Sequence, residues 1–210
     1  MDILIILSWQ VFLKGALMKK DLDPPKLNGT KIIFNAGYER CMAEREFISP
    51  DGSSYIYTMW WFLNKPSSII FPLTDDRKVV AIREFRHGSA DFSLELPGGR
   101  ANHNETESPE EVAERELLEE TGYRTDQLIK LPCDPWVETQ SMNLRYYPFL
   151  GLACKRVAEP IPEKTVVSET ILIPVQEWYA KIFRGEITCN STLSHSLLVL
   201  PHLLKDALPV

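Results

Sequence analysis

The sequence predicts an α/β (α+β) fold, a mixed sheet between helices, preceded by a small antiparallel β unit. Three observations carry this. Residues 31–34, 41–48 and 54–62 read as successive strands, and Ser49-Pro50-Asp51-Gly52 supplies hairpin-turn chemistry between the last two. Further strand-like stretches stand on both sides of a strongly marked acidic helix that begins after Ser108 and stops at Gly122. A second helix follows Pro174, with Val175, Trp178, Tyr179, Ile182 and Phe183 at helical spacing ahead of Gly185. Strands and helices alternating in one chain favour a sheet covered on both faces.

Composition bounds what such a chain does. At 210 residues, 44% hydrophobic and 25% charged, it is long enough for one well-packed soluble domain with a small appendage. A net charge of −6 argues against non-specific nucleic-acid binding and is compatible with a small anionic substrate met by a local basic patch. Cysteines at 41, 133, 154 and 189 show no Cys-x-x-Cys spacing, so a reduced cytoplasmic setting is the simplest reading. The apolar run 3–13 is shorter than the roughly 20 residues of a membrane span. Asp2 precedes it, and Ala16-Leu17-Met18-Lys19-Lys20 follows, unlike a secretory signal. It reads as a packing segment, or as an extension ahead of a start at Met18, and no membrane partner is expected. The expected division is an extension over 1–30, the β unit over 31–65 and the main domain over 66–210.

Along the main domain, 68–73 and 79–82 flank Asp75-Asp76-Arg77-Lys78 and predict a β-hairpin. Arg83-Glu84-Phe85-Arg86-His87-Gly88 follows, and its guanidinium groups offer paired donors to phosphate oxygens. Beyond the acidic helix, 128–131 and 146–152 read as strands around a turn-rich loop. Glu163 and Glu169 sit near a strand over 170–174. Asn190 or Ser191 is expected to cap a last helix over 193–204, in which Pro201 predicts a kink or break. His195 and His202 lie seven apart with no third ligand and read as ordinary helix residues. Tyr55, Tyr57, Trp60 and Trp61 could stack a ligand, although strand aromatics more commonly serve core or interface.

The acidic helix carries the chemistry. Ser108 is a ready N-cap, Pro109 suits the first helical position, Glu111 completes a Ser-x-x-Glu capping box and Gly122 supplies the stop. Ala113 and Leu117 mark its apolar side, while Glu116, Glu119 and Glu120 project together from another. Like charges this close repel by roughly 0.2–0.5 kcal/mol per exposed pair, so a cation should offset them. Mg²⁺ takes carboxylate oxygens and keeps its other positions for water or substrate phosphate. The plain alternative is a solvated acidic face with Arg115 as salt-bridge partner. Immediately upstream, Glu95-Leu96-Pro97 reads as the end of a strand, and Gly98-Gly99 permits close approach, so that a loop carbonyl can face the carboxylates.

These residues resemble a Nudix box. Glu107, seven residues, then Arg115-Glu116-Leu117-Leu118-Glu119-Glu120-Thr121-Gly122-Tyr123 match its second part in type and spacing. The departure is that seven residues, not five, separate Gly99 from Glu107; reading Gly99 as the family's glycine makes the loop two residues longer, and otherwise Ala101 stands at that place. Glu95-Leu96-Pro97-Gly98-Gly99 resembles the lead-in of the ADP-ribose pyrophosphatase branch. The resemblance implies an α/β/α sandwich that hydrolyses the diphosphate linkage of a nucleoside diphosphate joined to a further group, ADP-ribose foremost. It implies Mg²⁺ or Mn²⁺ on Glu116, Glu120 and the Gly98 carbonyl, with Glu119 and Glu95 completing the cluster and Arg115 orienting the carboxylates. Arg86, then Arg83, and Gly99 would meet substrate. Glu169, ahead of Glu163, is the expected general base, and the N-terminal β unit implies a homodimer. Two other readings stand beside it. A non-catalytic nucleotide-sugar-binding module typically lacks box carboxylates, all of which are present here. The isoprenoid diphosphate isomerase branch needs a cysteine just ahead of the box, where Cys41 is far away.

Overall fold

The computed structural model describes residues 23–35, 40–62, 65–102, 106–161 and 167–204. The apolar run 3–13 and Glu163 lie outside these residues. β1 (Lys26–Asn35), β2 (Arg40–Ile48) and β3 (Ser54–Phe62) form an antiparallel sheet in chain order. At the β2–β3 turn the Gly52 N–H donates to the Ser49 carbonyl at 2.9 Å, with Gly52 at a φ of 86° that glycine adopts without strain. β1 begins at Lys26, inside the segment expected to be an extension. Asn28 and Gly29 interrupt its apolar alternation, but pairing with β2 tolerates them through register shifts between Leu27 and Gly29 and between Ile32 and Phe34. The Trp60–Phe62 end of β3's outer edge is taken by the loop ahead of Tyr146: the Trp60 N–H donates to the Ser141 carbonyl at 2.8 Å, and the Asn143 amide clasps both backbone groups of Phe62 at 2.6 and 3.0 Å.

The main body is built from β4 (Ser67–Pro72), β5 (Lys78–Arg86), β6 (Asp91–Glu95), β7 (Gly98–Arg100), α1 (Pro109–Thr121), β8 (Tyr123–Arg124), β9 (Gln127–Lys130), β10 (Tyr147–Leu152), β11 (Lys155–Arg156), β12 (Ser168–Pro174), α2 (Val175–Phe183) and α3 (Asn190–Leu203). One sheet has the order β7-β4-β10-β9, with β4 and β10 parallel and the other pairs antiparallel; another has the order β12-β5-β6. The expected β4–β5 hairpin is therefore corrected. The turn is tight, with the Thr74 N–H on the Lys78 carbonyl at 3.0 Å, yet only the bridge Leu73–Val79 joins the two strands before each enters a different sheet. β4 is buried along its length and β5 over Val79–Ile82, so each is served by its own pair of neighbours.

Strand alternation distributes the core. Ile70 and Val80 pack with Ala113 and Leu117 of α1, whereas Ile69, Phe71, Val79 and Ala81 pack with Trp178 of α2 and Val199 of α3. The result is three layers, α1 on one side of the sheets and α2 with α3 on the other, as expected. α3 starts at Asn190 behind Cys189 rather than at 193, and it continues through Pro201 to Leu203 instead of breaking. Pro201 stands in the last turn, where it withholds one N–H, and the Leu204 N–H still reaches the Leu200 carbonyl at 3.0 Å. Among the described residues, no helix is long and apolar enough to cross a membrane.

Candidate active site

The ends of α1 are fixed as its sequence dictates. The Glu111 N–H donates to Ser108 Oγ at 3.2 Å, the Ser108 N–H donates to Glu111 Oε2 at 2.7 Å, and Gly122 closes the helix at a φ of 74°. Val112, Ala113, Leu117 and Thr121 are buried, and Glu116 and Glu120 reach the glycine loop, Glu116 at Gly99 and Glu120 at Gly98. Ser68 Oγ on β4 donates to the Pro109 carbonyl at 2.7 Å and pins the helix start to the sheet.

Arg115 gathers the acidic groups. Its Nε donates to Glu107 Oε1 at 2.7 Å, its Nη1 to Glu116 Oε1 at 2.9 Å and to Glu119 Oε2 at 3.0 Å, and its Nη2 to the Arg100 carbonyl at 2.8 Å. The Arg115 bond holds Glu107 below the usual carboxylate range. Glu120 turns away from this fork and accepts from the Gly98 N–H at 2.9 Å. Burial, and then the nearby Glu116 charge, push the Glu120 carboxyl well above its ordinary range, against the pull of the Gly98 amide. The glycine pair is a matter of space: a Cβ on Gly99 would stand 2.2 Å from Glu116 Oε1, and one on Gly98 would stand 2.4 Å from the Ser68 carbonyl oxygen. Gly99 therefore abuts the Glu116 carboxylate. The loop after it includes residues 103–105, which lie outside the described residues.

A second cluster borders the first. Arg86 on β5 grips Glu95 at the end of β6 with two bonds, 3.0 and 2.8 Å, and reaches Glu84 at 3.0 Å. Burial opposes the charge on Arg86, but Glu95, Glu84 and Glu120 outweigh it and hold the guanidinium firmly protonated. Burial likewise works against the Glu95 carboxylate, and the bond from Arg86 brings it net below its usual range. The sequence reading did not assign Glu84 to the site. Its signal was an acid inside the apolar run of β5, two residues before an arginine, and it is 6% exposed.

Two expected site residues are not brought in. β5 and β12 pair Arg83 with Glu169, whose side chains meet at 3.1 Å, and Arg83 also lies over the Phe92 ring at 4.7 Å. Residues on one strand alternate between faces, so this pair stands on the α2 side, while Ile82, Glu84 and Thr170 face α1. The Thr170 hydroxyl, one residue past Glu169, is the β12 group that reaches the Glu120 carbonyl, at 3.4 Å. Among the described residues, no three carboxylate, imidazole or thiolate groups stand ready-made around one point for a metal ion. Arg115, Arg86 and the Gly98 amide instead hold the carboxylates.

Comparison with known proteins gives a family. A family model described as NUDIX domain matches residues 63–183. An ADP-ribose pyrophosphatase of Bacillus subtilis (strain 168) is 36% identical over 62 residues, which are 30% of this chain and 32% of that protein. The matched stretch thus spans about a third of that relative's length. A crystal structure of an ADP compounds hydrolase superposes with a TM-score of 0.75 at 18% identity, covering 90% of this chain and 99% of that one, a likeness of fold.

Proposed function

The chain belongs to the NUDIX domain family, and from that premise we propose that it is a cytoplasmic, metal-dependent hydrolase of a nucleoside diphosphate joined to a further group. ADP-ribose or a related nucleotide sugar is the proposed substrate, with a nucleoside monophosphate and a sugar phosphate as products. The observation that carries this is that Glu120 accepts from the Gly98 amide and Glu116 lies against Gly99, with Glu119 joined to Glu116 through Arg115 and the Glu120 carboxylate desolvated and facing another negative charge. The resemblance of the matched relative in name and of the Glu95–Gly99 lead-in supports the substrate.

The donor set fits a hard divalent cation, since its ligands are oxygens and Glu120, desolvated and facing Glu116, stays well above its ordinary range despite the pull of the Gly98 amide and Arg86. Glu116, Glu120 and the Gly98 carbonyl would hold Mg²⁺ or Mn²⁺, with Glu119 and Glu95 at its edge. The cation would supply charge neutralisation of the diphosphate and acidify an attacking water. The chain's own part is geometric. Arg115 sets the carboxylates, Gly99 leaves the space in which Glu116 lies, and Arg86 presents a permanent positive charge beside the cluster. Glu169 stands on the other face, so the proton acceptor in this reading is Glu119, which is 43% exposed beside Arg115.

Exposed Leu27, Ile32, Ile33, Phe34, Ile56 and Trp60 on the N-terminal sheet support a homodimer through that unit, whose proposed bounds become 26–65. The decisive assay is phosphate release, after phosphatase coupling, from ADP-ribose, ADP-glucose, GDP-mannose, UDP-glucose and NADH, with Mg²⁺ and with EDTA. Metal-dependent turnover of ADP-ribose above the rest is expected. In the same assay Glu119→Gln should lower turnover by about 10²–10⁴, and Glu169→Gln should change it little. Tight binding of one compound with no turnover would replace the hydrolase by a binding module.

A further inference from the structure

Residues 95–98 carry the chain from one sheet to the other, and each is tied to a different element. The Glu95 carboxylate is gripped by Arg86 on β5. The Leu96 N–H donates to Thr192 Oγ1 on α3 at 3.2 Å. The Pro97 carbonyl accepts from Ile70 on β4 at 3.0 Å, and the Gly98 N–H donates to Glu120 on α1 at 2.9 Å. The tie to Thr192 has no part in either sheet or in the acidic helix.

It is also built with care. Leu96 is 2% exposed and Thr192 is fully buried, so neither group can exchange its partner for water; an unmade bond there costs the desolvation of the N–H. The turn of helix that carries Thr192 is itself fastened. Ser196 Oγ donates to the Thr192 carbonyl at 2.7 Å and accepts from Trp178 Nε1 on α2 at 3.0 Å, and the Tyr179 hydroxyl donates to the Ser196 carbonyl at 2.7 Å. Packing α2 against α3 would be served by alkyl groups alone. A buried polar network that is satisfied at these points fixes one geometry, and this one ends on the residue between Glu95 and the Gly98–Glu120 contact.

We propose that Thr192 is a positioning residue of the candidate active site: its hydroxyl fixes Leu96 and so sets the separation of Glu95 from the Gly98–Glu120 pair, and with it the affinity for a divalent cation. This rests on the proposed function above, because the cation is the group that responds to that separation.

The test compares Thr192→Val, which keeps the shape and removes the acceptor, with Thr192→Ser, which keeps the acceptor. Mn²⁺ binding is read by electron paramagnetic resonance of the free ion, stability of the metal-free protein by denaturant unfolding, and kcat and half-saturating Mg²⁺ by hydrolysis of ADP-ribose. Thr192→Val should weaken Mn²⁺ binding by about 10- to 100-fold and raise half-saturating Mg²⁺ in step, and Thr192→Ser should restore both to within about twofold of the parent, taking recovery of one bonded partner as the cause. Unchanged Mn²⁺ binding in Thr192→Val overturns the proposal, and so does a Thr192→Ser protein as weak as Thr192→Val. Should Thr192→Val fail to fold, Ser196→Ala gives the same comparison one bond further out, and Mn²⁺ binding equal to the parent's again overturns it. A parent protein that binds Mn²⁺ but hydrolyses nothing refutes the hydrolase reading alone, leaving the Mn²⁺ comparison decisive for Thr192; a parent that binds no Mn²⁺ overturns both.

Discussion

Gly98 and Gly99 are adjacent, and the absence of a side chain does different things at each. At Gly99 an added methyl meets the end of a movable carboxylate, that of Glu116. At Gly98 it meets backbone, the Ser68 carbonyl and the Ile69 Cα, which cannot swing aside. Gly99→Ala is therefore expected to fold with near-parental stability while losing about 10²–10³ in kcat, the scale of one misplaced electrostatic group. Gly98→Ala is expected to lose about 1–3 kcal/mol in stability, the cost of forcing a methylene into a packed site. Paired denaturant melts and rate measurements on the two variants separate these outcomes; equal destabilisation in both would contradict the distinction.

The elements that were legible in the sequence are those written by local chemistry. Both ends of α1 are marked by residues within a turn of the boundary, Ser108, Pro109 and Glu111 at one end and Gly122 at the other. Removing the cap should show it: Ser108→Ala is expected to lower unfolding free energy by about 1 kcal/mol, read by urea titration, with Glu111→Gln losing less because its amide oxygen can still accept. What was not legible depends on partners distant in sequence. Thr74 to Lys78 is a sound turn, but nothing within it states that Leu73 and Val79 part into separate sheets. Arg83 and Glu169 are chemically suited to the site, and only the register of β5 on β12 turns them to the other face. Glu84 was hidden for the converse reason, since an acid next to two arginines reads as a solvated strand end until the strand is seen to be buried.

At the scale of the molecule, α3 braces the sheets through a buried imidazole. His195 Nε2 lies 2.8 Å from the Phe149 carbonyl on β10; a carbonyl only accepts, so Nε2 carries the proton and Nδ1, which has no partner among the described residues, is bare. Burial pushes the His195 pKa down from 6.5 to about 4. The unfolded chain takes up a proton near pH 6.5 and the native one does not until about 4, so this stability is whole above 6.5 and is lost as pH falls through about 4, by roughly 3 kcal/mol. Replacing His195 by Gln, whose amide can still donate to Phe149, should flatten that part of the stability–pH curve; an unchanged slope would clear His195 of the effect. The N-terminal sheet has a different whole-molecule property. A strand edge is a template for more strand, and Ser141 and Asn143 of the chain itself have already been laid along the edge of β3. Among the described residues that loop meets the β3 backbone only at Trp60 and Phe62, at one end of β3, while the ten-residue outer edge of β1 has no partner strand, so an added strand has the full length of β1 to pair with and would be stopped short along β3.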